Sequence, residues 1–213
     1  MLTLWGRATS SNVQIVAWAI AELGLQAERI DCGHTYGGLD TPAFLGLNPN
    51  RLIPVLRDGD VVVWESAAIL RYLGAAYGDE AFWPSEPAKR ARLDMWAEWV
   101  KTTFAAAFTV PVFWSLVRTR AADRDLAAFA SAVETLKGAV RILDQRLADG
   151  GPYLGGEALS FADIMAGHTL YRYFTVPLDR IAAPALDAYY ARLKQRPPYA
   201  EHVMVSYEPL RAE

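Results

Sequence analysis

The chain has a single cysteine, Cys32, in 213 residues. That scarcity excludes a disulfide framework within the chain and also the Cys-x-x-Cys pair that dithiol redox chemistry requires. Its histidines, His34, His168 and His202, stand far apart and lack the spacing of a metal-binding motif, so no metal is expected. Charge of one sign is lacking too. The 21 basic and 24 acidic residues are interspersed and leave a net charge of -3, so no basic stripe is offered to nucleic-acid phosphates. Residues 1–12 lack the charged start and apolar core of a signal peptide, and Glu22 interrupts the apolar run from Val13 well before membrane-spanning length. A soluble, cytoplasmic protein that binds neither nucleic acid nor membrane is expected.

What the chain does have is apolar content, 53% of its residues, enough to bury a sizeable core. Residues 1–80 alternate short strands with helices, whereas from residue 88 to 213 the periodicity is helical with almost no strand signal. Trp83-Pro84-Ser85-Glu86-Pro87 reads as the linker. The expected architecture is therefore an α/β domain followed by an all-helical domain.

In the first domain, Leu2-Thr3-Leu4-Trp5 alternates like a strand and Val13–Leu23 is an apolar helix. Between them stand Ser10, Ser11 and Asn12, which serve either as helix N-caps or as donors aimed at a sulfur. Lowering a thiol pKa from about 8.5 to about 6.5 takes roughly 2.7 kcal/mol, within the reach of one or two such donors. Val55-Leu56 and Val61-Val62-Val63 flank Asp58-Gly59-Asp60 and read as a hairpin. Glu65 and Ser66 then open a helix whose unpaired N-H groups attract a carboxylate. Pro54 is either an ordinary strand-start proline or a cis proline that turns the N-H and C=O of Ile53 outward to pair with an extended peptide.

These motifs, in this order, resemble the thioredoxin-like domain of cytosolic glutathione S-transferases. Ser10-Ser11-Asn12 is similar to the Ser/Thr-x-Asn catalytic turn, Asn48-Pro49-Asn50 with Ile53-Pro54 to the cis-proline segment, and Glu65-Ser66 to the γ-glutamyl-binding pair. The resemblance implies that Ile53 pairs its backbone with the cysteinyl part of glutathione and that Glu65 and Ser66 hold the γ-glutamyl group. Bacterial relatives usually carry Gly and then Lys or Arg where this chain has Arg51-Leu52, and often Lys where it has Ile15. Arg51 or His34 is accordingly the candidate for the glycyl carboxylate, against the alternative that each is a solvated surface residue.

The second half carries Ser160-Phe161-Ala162-Asp163, a capping box with Leu159 and Ile164 at the hydrophobic-staple positions. It resembles the box that starts the buried helix of the family's helical domain. Phe104 and Phe108 stand one turn apart in an aromatic stretch where Pro111 is expected to kink or end the helix. Phe108, Phe113, Trp114 and Arg118 are either core or the lining of a co-substrate pocket; Tyr171, Tyr173 and Phe174 invite the same two readings. Cys32 reads as a structural thiol, with a mixed disulfide as the alternative.

The resemblance implies a glutathione transferase: glutathione is the co-substrate, its thiolate is stabilised by Ser10, Ser11 or Asn12, and it attacks a small hydrophobic electrophile. It also implies a homodimer. The alternatives are a non-enzymatic partner-binding module on the same fold, or a glutathione-dependent peroxidase or disulfide reductase.

Overall fold

The computed structural model describes residues 1–212. They divide into one compact unit formed by Met1–Asp79 with Pro197–Val205, and a second formed by Glu80–Arg196 with the residues from Ser206 onward.

The first unit follows the order β1 (Leu2–Trp5), α1 (Ser11–Glu22), β2 (Ala27–Ile30), α2 (Pro42–Leu45), β3 (Val55–Asp58), β4 (Val61–Trp64) and α3 (Ser66–Tyr77). Its sheet has the order β2-β1-β3-β4, with β1 parallel to β2 and antiparallel to β3. The parallel β1–β2 pair needs a crossover, which α1 supplies. The expected hairpin is present, with Asp58 opposite Val61 across a tight turn where Gly59 takes a φ of 57°. Tyr72 and Tyr77 both donate to Asp58 Oδ2, tying α3 to the end of β3. Val13, Ile15, Val16 and Ala19 of α1 are buried with Leu4 and Leu56 of the sheet and Ile69, Leu70 and Leu73 of α3.

The segment Pro197–Val205 belongs to this unit although it lies in the helical half of the sequence. Trp18 of α1 is fully buried and meets Tyr199 edge to face at 4.9 Å, and its indole Nε1 donates to Glu22 at 2.8 Å. An aromatic pair of that geometry adds about 1 kcal/mol beyond its area.

The second unit is helical, as expected. Pro111 does not end its helix: the helix runs from Pro87 to Val117, and Pro111 lies in a π-helical turn, Thr109–Trp114. A π turn widens the ring, and a prolyl nitrogen there removes one bond without stopping the helix. By length and composition this helix passes for one that could cross a membrane, an 18-residue window of it reaching a mean hydropathy of 1.4. Its Val100, Phe104, Phe108, Val112 and Phe113 are nonetheless at most 1% exposed, as in a core helix.

The helix Leu126–Gly150 starts from Asp125, whose side chain accepts from Ala128 N at 2.9 Å. Phe161–Gly167 is buried along its whole length. Its start is the expected capping box: Asp163 Oδ2 accepts from Ser160 N and Ser160 Oγ, each at 2.8 Å. Asp163 Oδ1 also accepts from Leu154 N at 2.8 Å and from Tyr189 Oη at 3.0 Å. Burial pushes the Asp163 carboxyl above the usual carboxylate range, and these hydrogen bonds oppose that shift by stabilising the charged form.

Candidate active site

In the first unit, Gly6 ends β1 and makes the following turn possible. With φ at 145°, a Cβ there would come within 2.4 Å of Val13 Cγ2 and 3.4 Å of Ile53 Cβ. Only glycine lets the loop before α1 pass so close to the loop before β3. The side chain of Gln14 then braces the turn from beneath: it is 1% exposed, and Nε2 donates to Ala8 O at 2.9 Å.

Ser10 is the N-cap of α1, yet its hydroxyl makes no capping bond. A serine at this position ordinarily spends its oxygen on the N2 or N3 amide. Ser11 is likewise half-buried, and Asn12 is exposed. The structure brings Asn12 to Ser66: Ser66 Oγ lies 3.4 Å from Asn12 Oδ1, although 54 positions separate them. Ser66 itself is 3% exposed and forms the first turn of α3. The first intrahelical bond of α3 is Ile69 N to Glu65 O at 2.9 Å, which leaves the amides of Ser66, Ala67 and Ala68 ahead of the ladder. Those amides and the dipole behind them favour a carboxylate.

The Ile53-Pro54 bond is cis. Among the described residues the N-H and C=O of Ile53 make no hydrogen bond, so both are open to an extended peptide. The loop before it is folded around Asn48, which is 2% exposed. Asn48 Nδ2 donates to Leu52 O at 2.9 Å, and Oδ1 accepts from Asn50 N and Nδ2 at 3.0 Å each.

Among the described residues the non-glycine positions with positive φ are His34 at 56°, Arg51 at 56° and Glu65 at 71°. Left-handed backbone costs an ordinary residue about 1–2 kcal/mol and is concentrated at functional sites. All three are residues that the sequence nominated for ligand binding. His34 and Arg51 are exposed, and neither enters an ion pair or side-chain hydrogen bond among the described residues.

Residues 1–75 match the family described as "Glutathione S-transferase, N-terminal domain", and residues 121–192 match "Glutathione S-transferase, C-terminal domain". The chain is 36% identical over 207 residues to glutathione S-transferase GstB of Escherichia coli K12, covering 96% of this chain and 99% of that protein. It is 33% identical over 210 residues to glutathione S-transferase 3 of Zea mays, covering 95% and 93% of the two chains. The theta class glutathione S-transferase of the citrus canker pathogen Xanthomonas axonopodis pv. citri, solved with glutathione bound, superimposes with a TM-score of 0.90. It shares 43% identity and covers 96% of this chain and 98% of that one. The chain belongs to the cytosolic glutathione S-transferase family. Its activity is that of a glutathione S-transferase.

Within the transferase's helical unit the four co-substrate candidates separate. Phe108 and Phe113 are 1% and 0% exposed and pack in an aromatic cluster, Phe108 on Tyr173 at 5.9 Å and Phe113 on Tyr207 at 5.3 Å. Both are core side chains. Trp114 is 41% exposed, with the Arg118 guanidinium 4.4 Å from its ring centroid, so these two lie at the surface rather than in the core. Tyr173 is core as well, and Phe174 stacks on Tyr190 at 4.2 Å.

Cys32 lies two residues beyond β2, buried with Phe44 and Val55. Burial pushes its thiol up, which disfavours the thiolate needed for a mixed disulfide. Among the described residues no group of His, Cys, Asp and Glu is arranged to hold a metal. Sequence reasoning missed Gln14, which reads as a polar interruption of an apolar helix, and quoted Asn48 without seeing that its carboxamide folds the loop around Arg51.

Proposed function

We propose that this transferase binds glutathione along the line from Arg51 and His34 through Ile53 to Glu65 and Ser66, and that Ser10 donates to the sulfur. The backbone of Ile53 pairs with the cysteinyl residue. The first-turn amides of α3 and the Ser66 hydroxyl take the γ-glutamyl carboxylate, while Glu65 takes the amino group. Arg51, assisted by His34, meets the glycyl carboxylate.

The observation that carries this reading is the contact between Asn12 and Ser66, which ties the Ser10 turn to the Glu65-Ser66 pair within one unit. Ser10 is favoured as the donor because its hydroxyl is not engaged in capping; Ser11 and Asn12 are the neighbouring candidates. A hydrogen bond to a charged group contributes about 1.5–3 kcal/mol, so a single serine hydroxyl accounts for most of the roughly 2.7 kcal/mol that a two-unit drop in thiol pKa requires. The thiol proton leaves to solvent. The thiolate lone pair then forms the new sulfur–carbon bond as the leaving group departs with its electron pair.

The electrophile is small and hydrophobic, with Trp114 as an aromatic surface and Arg118 as a charge beside it. The transferase is a cytoplasmic homodimer in this reading. Supporting the dimer, Val62 and Trp64, on one face of the edge strand β4, are each 39% exposed and leave an apolar pair uncovered on the first unit.

Calorimetric titration with glutathione tests the site. Saturable binding that Ser66→Ala weakens by about 1–3 kcal/mol supports it. Absence of binding at millimolar glutathione would instead favour a partner-binding module on the same fold.

A further inference from the structure

Gln14 holds the Ser10 turn at both ends. Its backbone N donates to Ser10 O at 2.9 Å, and its side-chain Nε2 donates to Ala8 O at 2.9 Å. The other half of the carboxamide is unused. Gln14 is 1% exposed, and its Oε1 is shielded from solvent and makes no hydrogen bond among the described residues. A buried amide oxygen left without a partner is costly, and such an atom beside a catalytic turn calls for an explanation.

A small cavity of about 30 Å³ lies against it, wholly within the first unit. Ala8, Gln14 and Ala17 line it from the start of the chain, Arg29 from β2, and His202 from the segment Pro197–Val205. That volume holds a water and nothing much larger. Apolar cavities stay dry, whereas a water settles where several polar groups converge, and Gln14, Arg29 and His202 supply them here.

Each of the three has capacity to spare. Arg29 pairs through Nε with Asp31 at 3.4 Å, which leaves the N-H groups of its terminal nitrogens as donors. The His202 side chain is 24% exposed, and its Nε2 stands 3.8 Å from Oε1 of the largely exposed Glu201. Burial lowers the His202 pKa; Glu201 opposes that shift and Arg29 adds to it. The ring is therefore uncharged at neutral pH and offers one nitrogen as an acceptor. A water in the cavity donates to Gln14 Oε1 and to that nitrogen, and accepts from Arg29. The cavity shares Ala17, Arg29 and His202 with a larger cleft of the same unit, which gives water a way in.

We propose that one buried water bridges Gln14 Oε1 to His202 and Arg29, and that through this bridge His202, near the far end of the chain, is a positioning residue for Ser10. The bridge fixes the carboxamide, the carboxamide fixes Ala8 O, and the turn so held aims the Ser10 hydroxyl. The positioning role rests on Ser10 as the donor to the glutathione sulfur; the water does not.

A high-resolution crystal structure tests the water, and the pH titration of the glutathione thiolate in the binary complex tests the positioning. The crystal structure should show an ordered water within hydrogen-bond distance of Gln14 Oε1 and a ring nitrogen of His202, and it should be lost in Ala17→Val, whose added methyl groups fill the cavity. In His202→Leu the thiolate titration should shift up by about half a unit, which is about a threefold lower ratio of thiolate to thiol at a given pH, with glutathione affinity little changed. Ala17→Val should shift it likewise. His202→Gln keeps a hydrogen-bonding side chain and should restore most of the wild-type titration, which a loss of packing alone would not do. His202→Leu added to Ser10→Ala should shift the titration no further. Neither Ala17 nor His202 is fully buried, so these variants should melt close to the wild type.

A cavity without water beside Gln14 Oε1 would overturn the proposal, as would wild-type titrations in His202→Leu and Ala17→Val while Ser10→Ala is shifted. If Ser10→Ala itself titrates as the wild type does, the Ser10 assignment fails and the positioning role of His202 falls with it, whereas the water stands or falls on the crystal structure alone.

Discussion

Ser66 Oγ and Asn12 Oδ1 stand 3.4 Å apart, linking the turn that opens α1 to the first residue of α3. If the contact positions one half of the glutathione site against the other, Asn12→Ala and Ser66→Ala should not act independently. A double-mutant cycle on glutathione affinity is expected to show a coupling of about 0.5 kcal/mol or more, with the double variant losing less than the sum of the singles. Additive losses would mean that the two side chains meet without assisting each other.

Arg51 holds a φ of 56° with a full side chain. Arg51→Gly removes that strain, and the variant is expected to unfold at higher urea, with a gain of about 0.5–1 kcal/mol after glycine's own entropy cost. Glutathione affinity should move the other way, since the guanidinium is the proposed partner of the glycyl carboxylate. Gain in stability with unchanged affinity would remove Arg51 from the site and leave His34.

His168 is 4% exposed, and burial lowers its pKa to about 4, with the nearby Arg172 and Lys101 charges acting in the same direction. The unfolded chain takes up a proton near pH 6.5 that the native chain refuses until about pH 4. Its contribution is therefore complete above pH 6.5 and is lost as pH falls toward 4, by about 3 kcal/mol at most. Asp163, raised by burial, has the opposite sign, so wild type must be compared with His168→Gln. Urea midpoints measured from neutral to acidic pH should fall less steeply in the variant.

Asp163 accepts from two backbone amides and two hydroxyls in a fully buried position. Asp163→Ala leaves Leu154 N, Ser160 N and Tyr189 Oη without that partner, and the expected loss is about 3 kcal/mol or more. A thermal melt within a degree or so of wild type would contradict this account of the capping box.

The sequence made visible whatever is set by neighbours in the chain. The Val55–Val63 hairpin, the helix that starts at Ser66 and the Ser160-Asp163 box each depend on turn or cap chemistry over a few residues, and each is present. What was not visible depends on partners far along the chain. Helical periodicity showed that the C-terminal segment has an apolar face, but not that Tyr199 would spend it on Trp18 of α1. It showed the aromatic stripe of Phe108, Phe113 and Trp114, but not that the two phenylalanines would be buried and the tryptophan left exposed at the end of the π turn around Pro111. The left-handed backbone at Arg51 and Glu65 was hidden for a different reason: neither is a residue type that ordinarily marks positive φ, and at His34, a type enriched there, the signal is too weak to read from one residue.

In the proposed site the Ser10 turn lowers the pKa of bound glutathione. The most direct measurement is the ultraviolet absorbance of the thiolate in the binary complex as a function of pH, for wild type and Ser10→Ala, each at saturating glutathione. The expected result is a thiol that titrates near neutral pH in the wild type and shifts up by about one to two units in Ser10→Ala, with affinity little changed. A titration identical in the two proteins would contradict it, and the same measurement on Ser11→Ala and Asn12→Ala would then show whether either neighbour holds the sulfur.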